Sequence, residues 1–188
     1  METIKYYSPD KVVDMGCGEG WLTRALNEAG LKTTGIDGTQ ALVEEARRRG
    51  KGEEYLHLTY EQINSDEYIP GRPYRAAVFN FSLYQDDRIL YEFLSSVVLN
   101  LTKKCGIFIQ TLHPHSFSRA AGIDYRSQWL EDSWDGLPGG FTQPHRWYFR
   151  TIEDWIGLFM SCELNLVQIR EPLKADGSEP ASIIFVLV

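Results

Sequence analysis

The sequence predicts an α/β fold: a doubly wound, mostly parallel sheet that closes with an antiparallel strand pair at the C-terminus. Two observations carry this. Strand-like and helix-like segments alternate from Lys11 to about Gln110, the rhythm of a parallel sheet with helices on both faces. Two further strand-like runs, Glu163 to Arg170 and Ser182 to Val188, end the chain with Gly177 in the turn region between them, as in a terminal hairpin.

Each element has its own signal. Val12 and Val13 begin a short buried strand, and Leu22, Ala25, Leu26 and Ala29 then recur at helical spacing until Gly30 stops them. Thr33 to Ile36 read as the second strand and Ala41 to Arg49 as the second helix. Arg47, Arg48 and Arg49 suit that helix's water-facing last turn, where cations complement the helix dipole. Tyr55 to Leu58 are a third strand, with a short helix expected before Pro70, and Ala76 to Asn80 are a fourth. The clearest helix follows: Ile89, Leu90, Phe93, Leu94, Val97, Val98 and Leu101 share one face, and Asp86-Asp87 suit its start. Gly106 to Leu112 read as the fifth strand. From His113 to Arg150 the rhythm breaks into a Gly-, Pro-, His- and aromatic-rich stretch without steady period, too long for an idle connection. Thr151 then caps a helix carrying Ile152, Trp155, Ile156, Phe159 and Met160, with Asp154 completing a variant capping box.

Composition bounds the function. The 188 residues, 43% hydrophobic and 24% charged, suit one globular domain. A formal net charge of −7 disfavours a nucleic-acid partner, whose phosphates call for clustered Lys and Arg. Cys17, Cys105 and Cys162 are too far apart for a disulfide framework or a zinc site, so no metal is expected. Met1 to Asp10 lack the apolar core of a signal peptide, and the longest apolar run, Ile183 to Val188, is too short to span a bilayer. The expectation is a cytoplasmic protein with no membrane partner.

The chemistry is concentrated where the first strand turns into the first long helix. Val12-Val13-Asp14-Met15-Gly16-Cys17-Gly18-Glu19-Gly20 places three glycines at that turn, where glycine permits positive φ and close approach of a ligand to the backbone. The spacing alone also fits an ordinary tight turn. Asp37 ends the second strand about twenty residues after the first glycine, where a carboxylate reaches the ribose hydroxyls of an adenosine-containing cofactor. A pyrophosphate-binding fingerprint would place its last glycine at Trp21, whose indole crowds that packing; here the third glycine comes one place earlier, at Gly20.

The pattern Asp-x-Gly-x-Gly-x-Gly at Asp14 to Gly20 resembles the first motif of class I S-adenosylmethionine-dependent methyltransferases, and the resemblance extends from Lys11 to Val188. It implies a Rossmann-like sheet in the order 3-2-1-4-5-7-6 and S-adenosylmethionine as cofactor. It implies cofactor contacts from Asp14, Gly16, Cys17, Gly18 and Gly20, and from Asp37 and Gly38 at the ribose. Leu58, Thr59 and Tyr60 are implied at the adenine, and Asn80 and Phe81 at the methionine moiety. Two departures stand out. Family members usually carry substrate-covering helices before the first strand, and only about ten residues precede Val12. Amino-methyltransferases of DNA carry two prolines after the fourth strand, which Asn80-Phe81-Ser82-Leu83 lacks. With the acidic charge, this favours a small-molecule acceptor.

Methyl transfer from a sulfonium is an in-line displacement achieved largely by positioning, with a base useful for a protonated nucleophile. His113, directly after the fifth strand, and Tyr84, in the loop after the fourth, are the catalytic candidates; a loop histidine bonded to backbone is the competing reading of His113. His115 and His145 are less constrained. Tyr84, Trp147, Tyr148 and Phe149 suit a pocket or cation–π contact with the sulfonium, core packing being the alternative for Trp147 and Phe149. Arg150 suits an ion pair with an acidic neighbour, a substrate carboxylate being the other reading. Residues 1–188 are expected to be one domain whose stretch from about 113 to 150 covers the substrate. An NAD-dependent oxidoreductase and a non-catalytic cofactor-binding regulator are the other readings open at this point.

Overall fold

The structure is a computed structural model and describes residues 2–7, 9–64, 68–132 and 145–188, with Asp132 and His145 described by backbone only. In chain order the elements are α1 (Glu2–Tyr7), β1 (Lys11–Met15), α2 (Trp21–Glu28), β2 (Lys32–Asp37), α3 (Gln40–Arg49), β3 (Glu54–His57), α4 (Tyr60–Asn64), β4 (Tyr74–Asn80) and α5 (Asp87–Val98). They continue as β5 (Leu101–Leu112), α6 (Pro114–Ala121), β6 (Gln128–Asp132), β7 (His145–Phe149), α7 (Ile152–Ser161), β8 (Leu166–Arg170) and β9 (Ser182–Leu187).

Seven strands form one sheet in the order β3-β2-β1-β4-β5-β9-β8. The first five are mutually parallel, and β9 is antiparallel to both β5 and β8. This is the Rossmann-like α/β sheet with its closing antiparallel pair, in the 3-2-1-4-5-7-6 order. The chain leaves β1 in one direction through β2 and β3 and in the other through β4 and β5. The sheet therefore has a topological switch point between β1 and β4, where such folds open a ligand crevice at the strands' carboxyl ends.

Alternation along the strands builds a core on each side. Val13, Met15, Ala77, Phe79, Ile107, Ile109 and Phe185 face α5 and α7, meeting Leu90, Phe93, Leu94, Trp155 and Phe159. Val12, Ala76, Val78, Phe108 and Val186 face the other way, onto Ile4, Leu22 and Leu26 of α1 and α2. Both sets are buried, which is why the central strands read as continuous apolar runs.

Several helix ends follow the expected chemistry. Asp86 caps α5 by accepting from the Ile89 amide at 3.2 Å. Thr151 caps α7, its Oγ1 accepting from the Asp154 amide at 3.1 Å and donating to the Asp154 carboxylate at 2.8 Å. The reciprocal bond of a capping box is replaced, because the Thr151 amide donates to Ser127 Oγ at 3.1 Å.

Three expectations are corrected. Leu101 belongs to β5, which begins five residues before Gly106; α5 ends at Val98 and Asn100 turns the chain, its amide bonded to Val97 O at 2.9 Å. The residues before β1 include the helix α1, anchored by Ile4 in the core and by an edge-on contact of Tyr7 with Phe108 at 5.5 Å. The stretch from 113 to 150 is not irregular throughout. It holds α6, started by Pro114 at a first-turn position, and the antiparallel pair β6–β7. Trp134 and the segment between the two strands lie outside the described residues.

Candidate functional site

A cavity of about 1160 Å³ opens over the switch point. That exceeds the roughly 300–1,000 Å³ that holds one drug-sized ligand, and its lining divides into two chemically different halves.

One half is built by the glycine turn and the ends of β2, β3 and β4. Gly16 has φ +75°, and its amide and that of Cys17 both donate to Ile36 O, at 2.8 and 2.9 Å. A Cβ on Gly16 would lie 2.4 Å from Ser82 Cβ, so only glycine lets the turn after β1 nest against the turn after β4. Gly18, at φ +54°, faces open space along the cavity. Asp37 braces this turn. Its Oδ2 accepts from the Gly18 amide at 2.9 Å, and its Oδ1 accepts from the Thr39 amide at 2.8 Å. Asp14 lies beneath the turn, buried, accepting from Thr23 Oγ1 at 2.7 Å, and its burial lifts the carboxyl to about 6. The buried Cys17 thiol is pushed far above its ordinary range, which makes it an inert packing group.

The turn after β4 is fixed from three sides. Phe81 takes φ +53°, a left-handed conformation uncommon outside glycine, and its amide donates to Gln110 O at 2.9 Å. Ser82 Oγ donates to Met15 O, and Tyr60 Oη donates to Ser82 O, each at 2.7 Å. The Tyr60 ring stacks on Phe93 at 3.8 Å. Tyr84 Oη donates to the Phe81 carbonyl.

The other half is apolar and aromatic. Phe117 of α6 meets Trp147 at 5.2 Å and Phe149 at 5.7 Å, and Trp147 meets Phe149 edge-on at 6.2 Å. Beside them Arg150 has a fully buried side chain. Its Nε pairs with Asp87 Oδ1 at 2.6 Å, Nη2 donates to the Gln85 carbonyl, and the guanidinium lies over the Tyr148 and Trp155 rings at 4.8 and 4.9 Å. Tyr148 N donates to Tyr84 O at 2.8 Å. β7 and the loop after β4 are thus joined at three points.

Of the residues singled out from sequence, Asp14, Gly16, Cys17, Gly18, Asp37, Gly38, Thr59, Asn80, Phe81 and Tyr84 line this one cavity. Gly20 does not; it precedes α2 with its Cα against the Tyr55 ring. Leu58 packs on the core instead, while Tyr60 lines the cavity. His113 is not brought to the cavity. It is buried as the cap of α6, its Nδ1 accepting from the Ser116 amide at 3.2 Å and its Nε2 donating to Glu171 at 2.9 Å. Only its Nδ1 contact with the Ser116 backbone matches the competing reading of His113; the Nε2 partner, Glu171, lies 58 positions away. His115 packs edge-on against Tyr125 at 5.7 Å, and the His145 side chain lies outside the described residues. Phe117 is a wall residue that sequence reasoning missed; Pro114 at the first turn, Phe117 and Ala121 at helical spacing and Gly122 after them were the signals that could have exposed it.

A family model described as a methyltransferase domain matches residues 12–106, the half of the chain that carries the glycine turn, Asp37 and the turn after β4. The ubiquinone biosynthesis O-methyltransferase of Histophilus somni (strain 2336) is 44% identical over 59 residues, covering 31% of this chain and 24% of that protein. The chain thus matches about a quarter of the length of this curated relative. An S-adenosylmethionine-dependent methyltransferase of Methanosarcina mazei superimposes with TM-score 0.76 at 16% identity, over 100% of this chain and 96% of its own. The 1,6-didemethyltoxoflavin-N1-methyltransferase of Burkholderia thailandensis, solved with its acceptor and S-adenosylhomocysteine, superimposes with TM-score 0.68 at 13% identity over 97% of this chain and 72% of its own.

Proposed function

This chain belongs to the class I S-adenosylmethionine-dependent methyltransferases, and on that premise we propose that it transfers the methyl group to a small-molecule acceptor covered by residues 113–150. The observation that carries the reading is the single cavity with a polar half at the glycine turn and an aromatic half under α6 and β7.

The polar half fits the donor. Gly18 leaves its side of the turn open, Asp37 presents a carboxylate at the end of β2, and Gly38 and Thr59 continue the same wall. In this reading Asp37 holds the ribose, Thr59 and Tyr60 flank the adenine, and Asn80 and Phe81 meet the methionine moiety. When bound, S-adenosylmethionine supplies an activated methyl on a positively charged sulfur. The chain's own part is placement. The Asp37–Gly18 bond sets the floor, and the Phe81–Ser82 turn, held by Ser82, Tyr60 and Tyr84, sets the waist between the halves. The rings of α6 and β7 exclude water from the acceptor. Tyr84 keeps its proton, since burial and the nearby Asp37 charge raise its hydroxyl above the ordinary range, and donates it in a hydrogen bond to the Phe81 carbonyl.

The Histophilus and Burkholderia proteins, one of ubiquinone biosynthesis and one acting on 1,6-didemethyltoxoflavin, support a small-molecule acceptor. Titration calorimetry with S-adenosylhomocysteine and, separately, with NAD tests the donor assignment. One-to-one binding of the former without the latter is expected; binding of NAD alone would make the protein a dinucleotide enzyme.

A further inference from the structure

Resting on the donor reading above, we propose that the acceptor is a flat, conjugated ring compound without positive charge, whose attacking atom is already free of its proton at neutral pH.

Shape comes first. Phe117, Trp147 and Phe149 hold one another edge-on or tilted at 5.2–6.2 Å, so the wall is set before any ligand arrives. Phe117 and Trp147 remain partly exposed towards the cavity. Rings fixed by their neighbours give planar ligands stacking and edge contacts worth about 0.5–1.5 kcal/mol per pair beyond area burial. A saturated ring of the same size gains only the burial.

Charge comes second. The carboxylates lining the cavity are Asp14, Glu19, Asp37 and Glu61, on the glycine turn, the end of β2 and the start of α4. Among the described residues none lines the aromatic half, and the buried guanidinium of Arg150 behind Tyr148 and Trp155 is neutralised by its pair with Asp87. A cationic acceptor would face the donor's positive sulfur with no carboxylate among the described residues of this half to offset it. An anionic one is attracted by that sulfur, more strongly than in water because the surrounding rings lower the local dielectric.

Proton chemistry comes third. Among the described residues lining the aromatic half there is no histidine, lysine or carboxylate. The hydroxyls of Tyr84 and Tyr148 are raised above their ordinary range by burial, so they donate hydrogen bonds rather than remove protons. The step balances without a base: a lone pair on the acceptor's oxyanion forms the bond to the methyl carbon, the carbon–sulfur bond breaks, and its electron pair stays on sulfur. One positive and one negative charge vanish, and no proton moves.

Equilibrium dialysis against the S-adenosylhomocysteine complex tests this with three probes: 4-nitrophenol, 4-methylcyclohexanol and tyramine, at a pH where the nitrophenol is ionised. The nitrophenolate should bind at least tenfold more tightly than either other probe. Phe117→Leu and Trp147→Ala should each reduce that preference several-fold while S-adenosylhomocysteine affinity, measured on the same preparations, is retained. Methyl transfer from labelled donor to 4-nitrophenol should rise with pH along the probe's own ionisation. Equal binding of the saturated or cationic probe, or no binding of nitrophenolate to a protein that binds S-adenosylhomocysteine, would overturn the proposal. A protein that fails to bind S-adenosylhomocysteine would instead overturn the donor reading beneath it.

Discussion

Asp37 accepts from the Gly18 and Thr39 amides, and in the proposed reading each oxygen keeps a lone pair for a ribose hydroxyl. Asp37→Ala should therefore lower S-adenosylhomocysteine affinity by about 1.5–3 kcal/mol per charged bond removed, read by calorimetry, with the fold retained; unchanged affinity would place the ribose elsewhere. Asp14 gives a pH-dependent prediction. Its folded carboxyl sits at about 6, above the ordinary 3.8, because of burial. The folded chain holds this proton more tightly than the unfolded chain, so stability falls as pH rises between these values, and the cost is fully present above about 6. Asp14→Asn keeps an acceptor for Thr23 and removes that cost. Thermal unfolding should show the variant more stable by about 1–3 kcal/mol near pH 7.5, with the difference gone near pH 4; a pH-independent difference would contradict the assignment. At this scale the lining of the glycine turn was legible because backbone geometry demands it: glycine where φ is positive, a carboxylate at a strand end. Phe81's left-handed φ was not, since nothing in Asn80-Phe81-Ser82 replaces the usual glycine signal. Nor was His113's role, because a ring that caps a helix and a ring that faces a cavity have the same sequence.

At the scale of elements, the aromatic half of the cavity is assembled from segments far apart in the chain. Arg150 fastens β7 to the loop after β4 through Gln85 and Asp87, and the Tyr148 amide adds a third point at Tyr84. Asp87 is half-exposed, so its pair contributes modestly; the buried bond to the Gln85 carbonyl contributes about 1.5–3 kcal/mol. Arg150→Met keeps the apolar length and removes both. Hydrogen-exchange mass spectrometry should then show the Tyr148 amide exchanging at least tenfold faster, with S-adenosylhomocysteine affinity unchanged. Exchange at the original rate would mean that packing, not Arg150, joins the two segments. An ion pair for Arg150 was legible from its type, but its partner was not, because Asp87 lies 63 positions away and only the fold joins them. The strands β6 and β7 were not legible because they are short and rich in aromatics, whereas α6 carried signals in Pro114 at its first turn and Gly122 after its end, masked by the absence of Ser, Thr, Asp or Asn at its cap.

Over the whole molecule, the sheet order follows from the alternation of elements. Parallel strands need crossovers, right-handed crossovers place helices on both faces, and the reversal beside β1 leaves the crevice. The terminal hairpin was legible for the same reason: Gly177, at φ +71°, turns the chain between β8 and β9. Among the described residues no helix is long and apolar enough to cross a membrane, and no cluster of His, Cys, Asp and Glu could hold a metal ion. What sequence left open was the division of the crevice into a polar and an aromatic half, since the second half comes from segments with no shared pattern. That division is the central claim, and a crystal structure of the protein with S-adenosylhomocysteine tests it most directly. The adenosine should lie against Asp37 and Thr59, and the sulfur should sit at the waist beside Phe81 and Tyr84, facing Phe117 and Trp147. A sulfur directed to solvent, or a ribose remote from Asp37, would contradict it.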